Sequence, residues 1–415
     1  MSLGTAPDAT RPADAAMLLR SAEAVRTRSA QLLDRARAGD SRWFTVVDPA
    51  LDSAAQQVAV LTRKRFPDLT IPFHSRWRHF EAGGVDRKAD LDGLLDAADT
   101  QERARALIDL TVVSVLLDAG AGADWSYTEV RGDGRATFSR SEGLGVASWH
   151  GFVSGVFSGD RSRPLQVDAE GLRTLTVDDL AAMFQVTTGN PLVGLEGRVA
   201  LLRRLGDVLA AQPALFGASG RPGALFDDVV AAGSVHAHDI LARLLASLSS
   251  IWPSRNMIGD VAVGDCWRHD AVAGPGLTAG WLPLHKLSQW LTYSLLEPLL
   301  WAGVALTGID ALTGLPEYRN GGLLIDSGVL VLRDPAAAAR TWNAADELIV
   351  EWRALTVSLL DELAPLVRDR LGVVAQQMPL ACVLEGGTWA AGRASAQGLR
   401  GGLPPLAVAS DGTVF

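Results

Sequence analysis

Cysteine is scarce in this chain of 415 residues, and the two present, Cys266 and Cys382, lie far apart with no CxxC pair. That excludes a disulfide framework and a structural zinc knuckle. A basic stretch followed by an apolar run is missing from Met1 to Pro12, so the sequence predicts no secretory leader and a cytoplasmic protein. A long unbroken apolar run is missing too. The most apolar segment, Trp281 to Leu306, is interrupted by His285, Lys286, Gln289, Glu297 and Pro298, which fits a buried core helix rather than a membrane span. There is no excess of positive charge. The formal net charge of −9 argues against a dedicated nucleic-acid binder and leaves only a local cluster, Arg76, Arg78 and Arg87, to meet a small anion. Dinucleotide GxGxxG spacing, the GK of a phosphate loop, HExxH and a Ser-His-Asp order are all absent.

What is present is the composition of a folded globular protein, with 48% apolar and 20% charged residues, so the chain can bury a core without staples. Apolar residues recur at three- and four-residue intervals over Ala13 to Ala38, Ser53 to Arg65, Gln101 to Leu117, Val177 to Phe184, Glu196 to Ala211, Val235 to Leu248, Leu284 to Leu306 and Ala336 to Arg368, which predicts helices. Strand signals are few: Trp43 to Val47, a hairpin of Trp125 to Val130 with Arg135 to Ser139 around Gly132-Asp133-Gly134, and a short strand near Leu323 to Leu332 or in the tail Leu406 to Phe415. The expected fold is mainly α with a small β-hairpin. One large domain spanning 1–415 is expected, its halves (about 12–215 and 216–415) packed around one active-site cleft; oligomeric state is not legible.

Four segments carry side chains suited to chemistry. In His74 to Arg87, two imidazoles, three arginines and two aromatics can offer donors to phosphate or sugar, with His74, Arg76 and Arg78 the candidates; a solvated turn anchored by Trp77 and Phe80 is the plainer alternative. Asp118 to Tyr127 combines glycines with Trp125 and Tyr127, which could stack on a planar group, or simply stops a helix and starts the hairpin. Lys286, Gln289 and Tyr293 share one face of an apolar helix that starts at His285, and polar groups on such a stripe need buried partners or a wet cavity. Glu317, Tyr318, Arg319 and Asn320 follow Pro316 and precede Gly321-Gly322, so they are expected at an element boundary. A carboxylate there could act as base or cation stabiliser, and a Glu-Arg pair bracing a turn is the alternative. His236 and His238 on a helix point to different faces, which disfavours one shared metal and makes His238 a packing or pocket-wall residue. Asp265, in the segment before the lysine helix, could cap the same pocket or sit in a surface loop.

The segments HSRWRHFEAGG (74–84), LLDAGAGADWSY (116–127), LHKLSQW (284–290) and LTGLPEYRNGGLLID (312–326) resemble a protein family tied to uracil catabolism, and the resemblance spans nearly the whole chain. A more distant similarity is to the queuosine salvage glycosidases, which carry Lys-x-x-Gln on a helix and, about thirty residues later, Asp-Tyr-Arg. Here Lys286 and Gln289 are followed by Glu317, Tyr318 and Arg319, with Glu in place of Asp. This similarity implies a fold like that of helix-hairpin-helix DNA glycosylases and makes Glu317 the catalytic carboxylate of an N-glycosidase. The uracil pathway implies ribosylurea or its 5-phosphate as substrate, with urea and the sugar as products. In that scheme Glu317 stabilises positive charge at C1 and orients water, and Asp118, Asp124, Asp265 or His238 protonates the leaving group. Lys286 and Arg319, with Arg76 or Arg78, hold phosphate or sugar hydroxyls. The scheme requires no metal or organic cofactor and no nucleic-acid or membrane partner. A uracil phosphoribosyltransferase, an amidohydrolase acting on the urea group and a non-catalytic binder of a pathway intermediate remain the alternatives.

Overall fold

The computed structural model describes residues 7–252 and 256–409. The protein is mainly helical, as its periodicity predicts, and among the described residues every sheet has two strands. No helix among them is long and apolar enough to cross a membrane. The chain forms two compact units. One unit takes residues 7–74, 256–289 and 308–409, and the other 75–252 and 290–307.

The first unit is organised by one long helix, Glu347–Leu371, buried along most of its length and packed against the helices Ala22–Arg37 and Ala50–Arg65. Its end is set by Gly372, which takes the left-handed conformation (φ 73°) that a side chain would resist. The periodicity that suggested a helix from Ala336 breaks earlier than expected. Pro335–Ala339 is a 3₁₀ turn, Thr341–Trp342 is a short strand and the helix proper starts after Asp346. The stretch Ala13 to Ala38 is likewise two helices, because Ser21 accepts the Ala24 N–H at 3.0 Å and so starts a new helix at Ala22. Phe44–Val46 pairs antiparallel with Leu330–Leu332, so both expected strands form.

Tyr318–Asp326 is a helix, where the glycine pair suggested a sharp turn. Its two glycines serve packing. A Cβ on Gly321 would press on the Trp352 indole and the Thr356 hydroxyl at 2.8 to 2.9 Å. The facing helix Trp389–Arg400 comes closest at Gly392, where a Cβ would collide with the Arg319 carbonyl oxygen. Helix propensity alone would favour Gly392→Ala by about 1 kcal/mol. Collision with backbone costs about 1–3 kcal/mol or more, so Gly392→Ala is expected to lower stability in a urea melt, against the propensity scale.

In the second unit, Thr100–Leu116 is buried on nearly every side. It carries Asp109, which accepts from Arg221 at 2.8 Å and from the Gly223 N–H at 2.7 Å. Around it lie Arg140–Val153 and Leu195–Ala210. The hairpin forms where expected, Ser126–Arg131 against Gly134–Ser139, with Gly132 at φ 55° in the turn. The helix Lys286–Trp301 starts in the first unit and continues in the second from Trp290.

Candidate functional site

Lys286 is delivered by a short antiparallel ladder, Cys266–Arg268 with Trp281–Pro283, that ends just before its helix. Asp265 fixes the start of that helix. Its carboxylate takes the Lys286 N–H at 2.8 Å, both terminal nitrogens of Arg353 at 2.9 and 2.8 Å and the Trp267 indole N–H at 2.6 Å. Burial alone would push the Asp265 carboxyl up, but the charge and hydrogen bonds of Arg353, with Trp267 and the Lys286 amide, outweigh it and hold it below the ordinary aspartate range. Asp265 therefore stays ionised and positions the lysine. Its acceptor oxygens are spent on the protein itself, which leaves it poorly suited to protonate a leaving group. His285 is also committed to the core: its Nε2 lies 3.0 Å from the Leu19 carbonyl, and burial keeps the ring in its neutral form. Its backbone, at φ 47°, holds a left-handed conformation uncommon for a residue with a side chain.

Glu317 sits directly before the helix Tyr318–Asp326 and caps it, accepting the Arg319 N–H at 2.7 Å and the Asn320 N–H at 2.5 Å. The cap explains why the helix starts here: two of its orphan N–H groups are satisfied by one carboxylate at the positive end of the helix dipole. Burial pushes the Glu317 carboxyl above its ordinary range, and the two N–H groups with the charges of Lys286 and His74 only partly pull it back. The lysine and the imidazole thus each act on the Glu317 carboxylate. The Arg319 guanidinium does not pair with Glu317. It donates to the Gly402 carbonyl at 3.1 Å and lies over the Tyr318 ring.

Among the described residues, polar atoms around these groups lack partners. Gln289 is fully buried, and its Oε1 is 3.5 Å from the Thr313 N–H while its Nε2 donates to nothing. Asn320, equally buried, gives its Nδ2 to the Leu315 carbonyl at 3.3 Å and leaves Oδ1 without a donor; Arg319 Nε is also unmet. Leaving a buried donor or acceptor unpaired costs about 1–3 kcal/mol each. A polar ligand would relieve several at once.

Of the residues singled out in the sequence, the first unit holds Glu317, Lys286, Gln289, Tyr318, Arg319, Asn320, His285, Asp265 and His74, and the second holds Asp118, Asp124, Arg76, Arg78, Trp125, Tyr127 and His238. Arg76 is fully buried, 3.0 Å from Asp118, with its Nε on the Ser114 hydroxyl at 2.6 Å and its Nη2 unpaired. Arg78 pairs with Glu297 at 2.8 Å and Glu81 at 3.0 Å. Trp125 is no open stacking platform, because its indole is buried and donates to the Phe184 carbonyl at 3.0 Å. Tyr127 lines a cavity of about 760 Å³ with His150 and Gln185, and Asp124 is exposed. His236 caps its helix by accepting the His238 N–H at 3.3 Å, and His238 is half-buried. A second cavity of about 760 Å³ displays Arg105, Arg221 and Arg243, each already paired with an aspartate at 2.5, 2.8 and 2.7 Å. That cavity offers ligands little unspent charge.

Sequence reasoning missed Arg353 and Glu385. Arg353 is a lone cation in the apolar run of the long helix, and such a residue demands an anion inside the fold. Glu385 is 2.9 Å from His74 Nδ1 and 3.0 Å from Arg65. Among the described residues, His269, Glu347 and Glu351 are the group with metal-ligand chemistry. The Ala271 N–H approaches His269 Nδ1 at 3.2 Å and Glu351 lies 3.3 Å from Nε2. With Nδ1 accepting, the neutral ring carries its proton on Nε2 and donates it to Glu351, an internal hydrogen bond rather than a lone pair aimed at an ion.

Protein urg3 of Schizosaccharomyces pombe is 39% identical to this chain over 409 residues, 96% of this chain and 98% of its own length. Uracil catabolism protein 4 of Lachancea kluyveri is 41% identical over 379 residues, 83% of this chain and 85% of its own length. The profile of a family described as protein of unknown function, DUF1688, matches residues 18–415. The family likeness expected from the four sequence segments is borne out, and with most of its length matched by the profile and by both relatives the chain belongs to the DUF1688 family.

Proposed function

We propose that this protein acts in uracil catabolism as an N-glycosidase, hydrolysing ribosylurea or its 5-phosphate to urea and the free sugar. The observation that carries this reading is the buried Glu317 carboxylate, with Lys286 and His74 acting on it, beside buried amides of Gln289 and Asn320 that are each half satisfied among the described residues. The pathway is supported by the name of the Lachancea kluyveri relative. As the C1–N bond stretches, positive charge spreads over C1 and the ring oxygen. A carboxylate stripped of water and fixed by two N–H bonds stabilises that charge without having to reorganise. It also orients the water that attacks C1 and takes its proton. Gln289 and Asn320 pair with ribose hydroxyls, and Lys286 favours the ionised form of Glu317 or meets an anionic sugar substituent. Arg319 is the further candidate for phosphate within the same unit.

The experiment is incubation of pure protein with ribosylurea and with its 5-phosphate, assaying urea by a coupled urease reaction. Equimolar urea and sugar are expected. Consumption of uracil and phosphoribosyl diphosphate to give a nucleotide would replace this reading with a transferase. Tight binding of either compound with no turnover would replace it with a binding protein.

A further inference from the structure

The leaving urea nitrogen needs a proton, and the carboxyls expected from the sequence to supply it are poorly placed. Asp265 is ionised and saturated by Arg353, Trp267 and the Lys286 amide. Asp118 is tied to Arg76, and Asp124 is exposed. His74 is placed differently. Its backbone N–H is fixed on the Ala381 carbonyl at 3.0 Å, its ring is mostly buried beside Trp389, and its charge acts on Glu317. Nδ1 lies 2.9 Å from Glu385 Oε2, while Nε2 makes no hydrogen bond among the described residues. Glu385 is itself held: Arg65 donates to its other carboxylate oxygen at 3.0 Å and to its backbone carbonyl. Burial would push the Glu385 carboxyl up, but His74 and Arg65 together keep it below the ordinary range, so it stays an acceptor. It is carried by a π-helical turn, Leu384–Thr388, of the kind that often marks functional positions in helices.

We propose that His74, oriented by Glu385, is the proton donor to the leaving nitrogen, an inference that rests on the N-glycosidase reading. The charged groups acting on this unit are Glu385, Arg65, Glu317 and Lys286. In the step, the C1–N bond breaks and its electron pair stays on nitrogen, which takes the proton from Nε2. The ring is left with its proton on Nδ1, the tautomer that Glu385 accepts. Water bonds C1 through its oxygen and gives a proton to Glu317, which releases it to solvent, and His74 takes one back from solvent. One water is consumed and one urea is released. Glu385 is a positioning residue, and it fixes the tautomer as a carboxylate fixes an imidazole in hydrolytic triads.

The test compares wild type, His74→Asn and Glu385→Gln on ribosylurea and on 4-nitrophenyl ribofuranoside, whose leaving group needs no proton, with the same substituent at the sugar 5-position. A general acid contributes about 10²–10⁴-fold, so His74→Asn is expected to lose that much kcat/KM on ribosylurea and far less on the nitrophenyl substrate. The alkaline fall of the wild-type pH profile on ribosylurea should vanish in this variant. Glu385→Gln should lose activity in the same substrate-dependent sense but less deeply. Equal losses on both substrates, or an unchanged alkaline limb, overturn the donor role while leaving the glycosidase reading standing. No turnover of either substrate by wild type overturns the glycosidase reading and this one with it. Nitrogen NMR of the neutral His74 ring gives a measurement independent of activity. The proton is expected on Nδ1 in wild type and redistributed in Glu385→Gln, and a proton on Nε2 in wild type removes Glu385 from the mechanism.

Discussion

Glu317→Gln is expected to release urea from ribosylurea about 10³-fold more slowly than wild type, a loss of about 4 kcal/mol of transition-state stabilisation. The substitution keeps the size of the side chain and removes only its charge. Ground-state contacts with a neutral sugar change little, whereas a cation developing at C1 loses its counter-charge, so the loss falls on kcat rather than KM. The fold should tolerate the change. The amide oxygen can still accept one of the two N–H groups of Arg319 and Asn320, and losing the other costs about 1 kcal/mol. Against that cost, a charge that burial disfavours is gone. Because burial raises the Glu317 carboxyl, the folded state binds its proton more tightly than the unfolded one. Wild-type stability relative to the variant therefore declines as pH rises through the glutamate range. Steady-state kinetics beside thermal melts at several pH values check both halves, and a variant as fast as wild type would take Glu317 out of the chemistry.

The largest stability effect is expected at Asp265. Asp265→Ala removes the carboxylate that holds Arg353 by two bonds in the interior, and breaking a buried pair from one side costs about 3–5 kcal/mol. It also deprives the Lys286 N–H of its acceptor, so the lysine helix loses its fixed start and urea release should fall as well. Asp265→Asn keeps the shape and isolates the charge. Its pH dependence runs opposite to that of Glu317, because the folded Asp265 carboxyl is depressed. The stability it contributes is fully present above the ordinary aspartate range and is lost as pH falls through the depressed folded value. Denaturant melts of wild type and Asp265→Asn should therefore lie far apart at neutral pH and converge in acid. A constant gap across that range would mean that charge contributes nothing there.

The hairpin and most helices were legible because local signals decide them: glycines at a tight turn, and apolar stripes at helical spacing. The helix Tyr318–Asp326 was not, because Gly321-Gly322 looks like a turn when read locally. What those glycines answer to is the Trp352 indole and the approach of another helix, which a linear chain does not display. The same blindness hid Arg140–Val153, whose Gly143 lies against Trp125 and the Phe138 carbonyl, and Trp389–Arg400 with Gly392. At the site, Lys286 and Glu317 were readable as charges in places where charges need a reason. Their supports were harder to find. Arg353 is linked to Asp265 across 88 positions and Glu385 to His74 across 311, and nothing in the local pattern of either segment names its partner.

A carboxylate that also starts a helix cannot swing. Glu317 is pinned through both oxygens to the backbone that follows it, so any molecule it serves must bring its reacting atom to a fixed point in space. Variation among accepted compounds is then absorbed at the end remote from that point. Relatives that process longer or shorter molecules would differ in the walls opposite the cap and leave the cap itself alone.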